Sequence, residues 1–184
     1  MVRKILKWTS IIISALIVII LVYGSIQYSK AKGTNHFISE RIVEAPKAKV
    51  WRIISDVGNY HKVTADGIDD VKIIEGEGLG LKRICADQNG NSWEETCTSW
   101  IPEKEFGFEV NTQKEDYPLP FKSLSAIWKI DAISPNKTKI TIDMSYEFKN
   151  AFLGGLFLNL GEKQAKKDSN FLLDNWQKMA ENNQ

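Results

Sequence analysis

The chain has 184 residues, 43% of them hydrophobic, which suits one domain with a real core plus an appendage. Its formal net charge of +1 is unevenly spread: residues 1–32 hold five of the 24 Lys and Arg and no Asp or Glu, leaving 19 cations against 23 acids in the rest. A mildly acidic domain argues against nucleic acid as a partner.

The N-terminal segment is long enough to cross a membrane. Trp8 to Ser29 contain no charge and as a helix would rise about 33 Å, against roughly 30 Å of bilayer hydrocarbon. Aromatic residues stand near both ends, and Arg3, Lys4 and Lys7 precede the segment. We therefore predict that residues 1–29 form a tail and a single-pass N-terminal membrane anchor, with the domain on the outer, non-cytoplasmic face because the short tail is cationic.

Two other interpretations of this segment are weaker. A cleaved signal peptide usually has an apolar run of about 7–15 residues that ends at a small-residue cleavage site, and Val22-Tyr23-Gly24 is a poor match. A buried core helix would need a polar stripe for its solvent face, and none interrupts the Ile/Leu/Val run.

Residues 30–35 form a polar linker, and we predict that the domain covers residues 36–184. It opens with a strand over His36–Glu44 and a helix over Lys47–Asp56, since Pro46 suits a helix start. A short helix or irregular segment covers Tyr60 to Asp66.

From Val71 the apolar period changes to two. Six strands are predicted, at residues 71–73, 79–87, 92–101, 105–112, 124–133 and 139–148. Short breaks with turn residues separate them, which indicates an antiparallel meander. Helical period returns from Ala151 to Met179, as one long helix broken or bent near Gly161. This helix is the remaining apolar stripe that can cover the apolar face of the sheet.

The glycines of EGEGLGLKR (Glu75–Arg83) do not form a phosphate-binding loop. A G-x-G-x-x-G pattern fails at Leu81 and Arg83, and an alternating strand follows instead of a helix. We expect a strand connection with unusual backbone angles. If Asn89-Gly90 is a two-residue turn, Cys97 faces Lys82, the two cysteines lie on opposite sheet faces, and both are buried free thiols. With only His36 and His61 besides, no zinc-like spacing occurs, and we expect neither a metal nor a cofactor.

The order of these motifs resembles the START-like or SRPBCC superfamily, which includes polyketide cyclases/dehydratases, lipid-transfer domains and coenzyme Q-binding proteins. The resemblance rests on VEAPKAKVWRIISDVGNY (Val43–Tyr60), GLGLKR (Gly78–Arg83), EETCTSWIP (Glu94–Pro102) and NKTKITIDMSYEF (Asn136–Phe148). It implies an α+β helix-grip fold, in which a curved antiparallel sheet of about seven strands grips the long C-terminal helix around a cavity.

The candidate ligand-binding residues are those expected on inward faces of the last strands and the terminal helix. They are Phe106, Phe108, Trp128, Met144, Tyr146, Phe157, Leu160 and Gln164, with Phe171 also expected inside. Ordinary core packing is the alternative for the aromatic residues. Glu95 and His61 are candidate acid/base groups, but a structural salt bridge to Arg83 is the favoured role for a glutamate at positions 94–95.

Three functions remain open on the sequence. The leading hypothesis is a membrane-anchored domain that binds a hydrophobic small molecule, a lipid or a quinone-like compound. The second is a polyketide cyclase/dehydratase-like enzyme that uses the same pocket, with binding favoured over catalysis. The third is a non-catalytic partner-binding module at the membrane, which would have a packed interior. The sequence does not fix the oligomeric state.

Overall fold

The computed structural model describes residues 2–65 and 67–182. Asp66, the predicted end of the segment after the first domain helix, lies outside the described residues. One antiparallel sheet of seven strands dominates the domain, in the order β1-β7-β6-β5-β4-β3-β2. The strands are β1 (Asn35–Val43), β2 (Asp70–Glu75), β3 (Lys82–Ala86), β4 (Ser92–Ile101), β5 (Glu105–Val110), β6 (Phe121–Ser134) and β7 (Lys137–Phe148).

Three α-helices and one 3₁₀ helix accompany the sheet. They are α1 (Val2–Ala31), α2 (Lys47–Ile54), the 3₁₀ helix (Val57–Lys62) and α3 (Ala151–Glu181). Asn150 caps α3, because its side-chain oxygen accepts hydrogen bonds of 3.1 Å from the backbone N–H groups of Phe152 and Leu153. The helix continues through Gly161 without the predicted break. The α+β helix-grip fold predicted from the sequence is confirmed.

The core lies between the concave face of the sheet and the second half of α3. Leu172, Leu173 and Trp176 of α3 are buried there, together with α2 residues such as Ile54. Aromatic rings fill much of this space, and Phe106 stacks on Trp128 with ring centroids 5.0 Å apart. Apolar burial of this kind, at about 25 cal/mol per Å², is the main force that fixes α3 on the sheet.

The glycine-rich segment is the connection between β2 and β3. Gly76, Gly78 and Gly80 have φ angles of +67°, +64° and +85°, which side chains rarely adopt. A Cβ atom at Gly78 would also lie 3.4 Å from the Trp100 ring. The expectation of a strand connection with unusual backbone angles is therefore confirmed.

The predicted register of the next hairpin is wrong by one residue. Residues 87–91 connect β3 to β4, and Lys82 lies opposite Thr96 instead of Cys97. The reason is the Asp87 side chain, whose Oδ1 accepts hydrogen bonds from the N–H groups of Asn89 and Asn91 and so holds a loop of odd length. With this pairing Cys85 and Cys97 share the core-facing side, and both are buried free thiols.

Helix α1 extends away from the domain and touches it only near its C-terminal end. Leu6–Ala31 is the one stretch among the described residues that is long and apolar enough to span a membrane. From Leu6 onward, only Gly24, Gln27 and Ala31 of α1 are buried, where the helix packs against the start of α3. The structure thus ends α1 at Ala31 and begins β1 at Asn35, while the division into anchor, linker and domain stays a prediction.

Candidate functional site

The domain contains two neighbouring cavities, of which one borders α3. The first, the α3 cavity, measures about 230 Å³ and lies between the first half of α3 and strands β1, β6 and β7. The second, the ion-pair cavity, measures about 160 Å³ and is lined by residues of strands β3 to β7, by Tyr60 of the 3₁₀ helix and by neighbouring loop residues. Met144 of β7 lines both of them. The volume of each cavity is far larger than the roughly 10–15 Å³ that one water molecule needs.

The α3 cavity has an almost entirely apolar wall. Its lining includes aromatic rings from the sheet and leucines from the helix: Phe37, Phe121, Tyr146, Phe148, Phe157, Leu158 and Leu160. Glu162 is the one charged residue among its lining side chains, and it is exposed. Phe157 and Leu160 are also 63% and 67% exposed, so the cavity opens to the surface beside them.

A buried ion pair forms part of the wall of the ion-pair cavity. Arg83 is 1% exposed, and its Nε and Nη2 atoms donate to Oε2 of Glu95 at 2.9 and 2.7 Å. Its Nη1 atom donates to the carbonyl oxygen of Val57 at 2.9 Å. Oε1 of Glu95 accepts from the indole Nε1 of Trp93 at 2.8 Å. The predicted salt bridge between Arg83 and a glutamate of the adjacent strand is confirmed.

Two aromatic rings contact the same guanidinium group. The Arg83 Cζ atom lies 4.0 Å from the Phe108 ring centroid and 4.9 Å from that of Tyr60. Burial would lower the pKa of Arg83, but the Glu95 carboxylate and neighbouring groups together raise it. Burial also raises the pKa of the Tyr60 hydroxyl. The guanidinium group therefore stays charged and the phenol neutral at physiological pH.

One buried donor beside this pair has no partner. Trp128 lines the ion-pair cavity, and its indole Nε1 atom makes no hydrogen bond among the described residues. An unpaired buried N–H costs about 1–3 kcal/mol relative to a paired one. A ligand with an acceptor atom would recover this free energy.

Most of the predicted ligand-binding residues line one of the two cavities. Met144, Tyr146, Phe157 and Leu160 line the α3 cavity, and Phe108, Trp128 and Met144 line the ion-pair cavity. Phe106 lines neither, because its ring is buried in the core against Trp128.

Two predicted positions on α3 are wrong. Gln164 was expected on the inner side of the helix, but it is exposed and donates to Asp168 at 2.8 Å. Phe171 was expected inside and is 47% exposed. The buried stripe of α3 passes through Leu158, Ser169 and Leu172, which places both residues on other faces of the helix.

The two acid/base candidates are not brought together into a catalytic arrangement. Glu95 lines the ion-pair cavity, but both of its oxygens already accept hydrogen bonds. His61 of the 3₁₀ helix lines neither cavity, and its Nδ1 atom has no partner among the described residues. Within the described ranges, no group of three or more His, Cys, Asp or Glu side chains is placed to hold a metal ion.

Several cavity residues were not predicted from the sequence. Phe37 belongs to a strand whose inward face was not assigned, and Phe121 precedes the predicted start of its strand at residue 124. Arg83 and Tyr60 were considered only as structural residues. The signal for Arg83 was present, because it alternates with Cys85 on β3 and therefore shares its inward face.

Comparison with known proteins identifies the domain. The family model for "Polyketide cyclase / dehydrase and lipid transport" matches residues 35–181, well over half of the chain. No curated protein sequence gives a significant match.

Solved structures share the fold at low sequence identity. The Zhui aromatase/cyclase from a Streptomyces species is 18% identical, with a TM-score of 0.64 over 81% of this chain and 94% of that one. Norcoclaurine synthase from Thalictrum flavum, in complex with dopamine and hydroxybenzaldehyde, is 13% identical, with a TM-score of 0.64 over 86% of this chain and 92% of that one. At such identities the likeness extends to the fold alone.

Proposed function

Because the chain belongs to the polyketide cyclase/dehydrase and lipid transport family, we propose that it is a membrane-anchored binding domain for a hydrophobic small molecule of lipid or quinone type. The observation that carries the proposal is the α3 cavity, about 230 Å³ of space with an apolar wall and an open mouth. Ligand pockets in proteins are mostly apolar, with few polar groups that set the orientation. A partner-binding module with a packed interior would have no such space.

The ion-pair cavity extends the space available to a ligand. Met144 alone lines both cavities, and a methionine side chain adapts its shape readily. Trp128 also lines the ion-pair cavity, and its indole Nε1 is an unpaired donor among the described residues. A ligand with an apolar body and one carbonyl or ether oxygen at its far end matches this arrangement.

An enzyme of cyclase or dehydratase type is the second candidate. The observation in its favour is the polar wall of the ion-pair cavity, where Arg83, Glu95 and Tyr60 meet. Against it, the Glu95 carboxylate is fully engaged, so proton transfer by this group requires the ion pair to break. Binding without turnover therefore has the stronger support.

Helix α1 serves as the anchor in this proposal. Its residues from Leu6 to Ile26 are exposed and apolar with few exceptions, which a lipid environment would stabilise. The cationic N-terminal tail favours the cytoplasm, which places the domain on the outer face. A reporter fused to the C-terminus, active on one side of the membrane only, tests this orientation.

Native mass spectrometry of the full-length chain from detergent micelles tests the binding function. We expect bound lipid after purification, or a mass shift on adding a short-chain quinone or phospholipid. In Ala165→Phe a ring would fill the α3 cavity, whereas Gln164→Phe places the same ring on the exposed neighbouring position. Loss of ligand in Ala165→Phe but not in Gln164→Phe supports the proposal. A chain that is empty under all conditions contradicts it.

A further inference from the structure

The start of α3 has an apolar face that the described part of the chain leaves exposed. Leu153, Phe157 and Leu160 are 54%, 63% and 67% exposed, and their spacing places them on one side of the helix. The segment from Asn150 to Gly161 contains no charged residue. Water is therefore a poor environment for this part of the helix.

Helix α1 holds this segment at a defined place. Gly24 lies against the Phe152 ring, where an added Cβ atom would come within 2.5 Å of it. Gly155 lies against the backbone of Gln27, where an added Cβ atom would lie 2.8 Å from the carbonyl carbon of Gln27. Small residues on both helices thus allow close packing of the kind that joins helices in membranes.

The length of α1 sets the depth of this contact. The part of the apolar stretch that precedes this contact, residues 6–22, measures about 25 Å as a helix. This length is less than the roughly 30 Å of hydrocarbon in a bilayer. A complete span must therefore use the turns around Gly24 and Gln27, which are the turns that touch α3. In a helix that spans the bilayer, the contact would therefore lie at the boundary between hydrocarbon and headgroups.

From this geometry we propose that the first three turns of α3, Ala151 to Gly161, are embedded in the membrane interface, so that the α3 cavity opens to lipid and takes a lipid from the bilayer tail first. This inference rests on the proposed anchor. Phe157 and Leu160 belong both to the exposed face and to the cavity wall, which brings the mouth to the bilayer.

The charges around the segment fit this position. Lys30 at the end of α1, Lys32 just after it, and Lys163, Lys166 and Lys167 of α3 are exposed and follow the apolar segments. Glu162, also exposed, is the one acid between the apolar segment of α3 and these lysines. Lysines at this level attract anionic headgroups by about 1 kcal/mol each. Inside the cavity the wall is apolar, so a lipid tail can enter while its headgroup stays among these charges.

The test is the depth of spin labels on the full-length chain in vesicles of phosphatidylcholine and phosphatidylglycerol. Labels are attached at Leu153→Cys and Phe157→Cys, with Ile13→Cys in the apolar part of α1 and Ile133→Cys at the opposite end of the sheet as controls. Ile133 is a matched control because it is apolar and 51% exposed. The parent chain treated with the same spin label is the blank, because Cys85 and Cys97 are buried and should not react with it.

We expect the labels at 153, 157 and 13 to collide preferentially with oxygen, which dissolves in lipid. We expect the label at 133 to collide preferentially with a water-soluble nickel chelate. Water-like values at 153 and 157 beside a lipid-like value at 13 would overturn this inference and leave the anchor intact. A water-like value at 13 would overturn the anchor itself.

A transfer assay tests the route of entry. Leu153 does not line the cavity, so we expect Leu153→Glu to slow the uptake of a fluorescent phospholipid from vesicles while the lipid still binds in detergent. Ile133→Glu, the matched control, should leave uptake unchanged. Equal uptake rates in both variants would overturn entry from the bilayer, whereas loss of binding in detergent by the parent chain would contradict the proposed function.

Discussion

Gly155 of α3 and Gln27 of α1 are in backbone contact, and a Cβ atom at Gly155 would lie 2.8 Å from the carbonyl carbon and oxygen of Gln27. The side chain of Gln27 is buried in the same place, and its Oε1 atom has no hydrogen-bond partner among the described residues. This contact is the link between the apolar N-terminal helix and the wall of the cavity.

Gly155→Ala should loosen the contact between α1 and α3. The methyl group forces the backbones apart at a cost of about 1–3 kcal/mol, partly offset by about 1 kcal/mol of improved helix propensity. Gly161→Ala is the matched control, because nothing lies within 4 Å of its Cβ position. Thermal unfolding in detergent should therefore show a lower midpoint for the first variant and a higher one for the second. Equal upward shifts would contradict the close contact.

Glu95→Gln should destabilise the domain strongly. The substitution leaves the buried Arg83 charge without its partner, and breaking one side of a buried ion pair costs about 3–5 kcal/mol. Lys82→Ala removes one side of the exposed pair with Glu75 and should change the stability little, because solvent screens such a pair. Urea unfolding of both variants measures the difference. A Glu95→Gln variant as stable as Lys82→Ala would show that the pair is not buried in solution.

Met144→Ala should join the two cavities. Met144 lines both, so its removal leaves one larger space that reaches the unpaired Nε1 atom of Trp128. We expect bulkier or longer ligands in native mass spectra of this variant than of the parent. Met179→Ala on the exposed side of α3 is the control and should not change the ligand. An unchanged ligand size in both variants would contradict the role of Met144 as the partition.

Stability should decrease as the pH rises above about 8.5, the ordinary pKa of a cysteine thiol. Burial raises the pKa of Cys85, and to a lesser degree of Cys97, in the folded chain. Burial likewise raises the pKa of Tyr117 to about 12. The unfolded chain therefore loses protons that the folded chain retains, and the free energy of unfolding falls by up to about 1.4 kcal/mol per pH unit for each thiol.

Unfolding at several pH values between neutral and strongly alkaline checks this dependence, and thiol reagents provide an independent readout. Neither cysteine should react in the folded protein, whereas both should react in urea, because the thiolate is the reactive form. Rapid reaction of Cys85 under native conditions would contradict its burial.

Local sequence patterns were sufficient for the elements and their order. The strand Ser92–Ile101 was predicted with its observed bounds, and the unbroken apolar run before Ser29 predicted α1. Alternation in β7 placed Met144 and Tyr146 on the cavity side, and the order of motifs indicated the helix-grip fold. These features depend on periodicity and on turn residues, which act over a few positions and can be read from the chain.

The register of one hairpin and the facing of α3 depended on contacts that no local pattern contains. The loop after β3 has an odd length because the Asp87 side chain binds two N–H groups within it, and one residue of register reverses which residues share a face. On α3, Gln164 and Phe171 were expected to face inward, yet the buried stripe of the helix passes through Leu158, Ser169 and Leu172.

The sequence by itself therefore determined a seven-stranded domain of known family behind an apolar helix. Tertiary structure alone decided that this helix meets α3 at Gly155, that Glu95 rather than Glu94 pairs with Arg83, and that two cavities remain around Met144. The physical reason is that a cavity and a buried ion pair are properties of several chain segments at once, set by how well distant surfaces fit together.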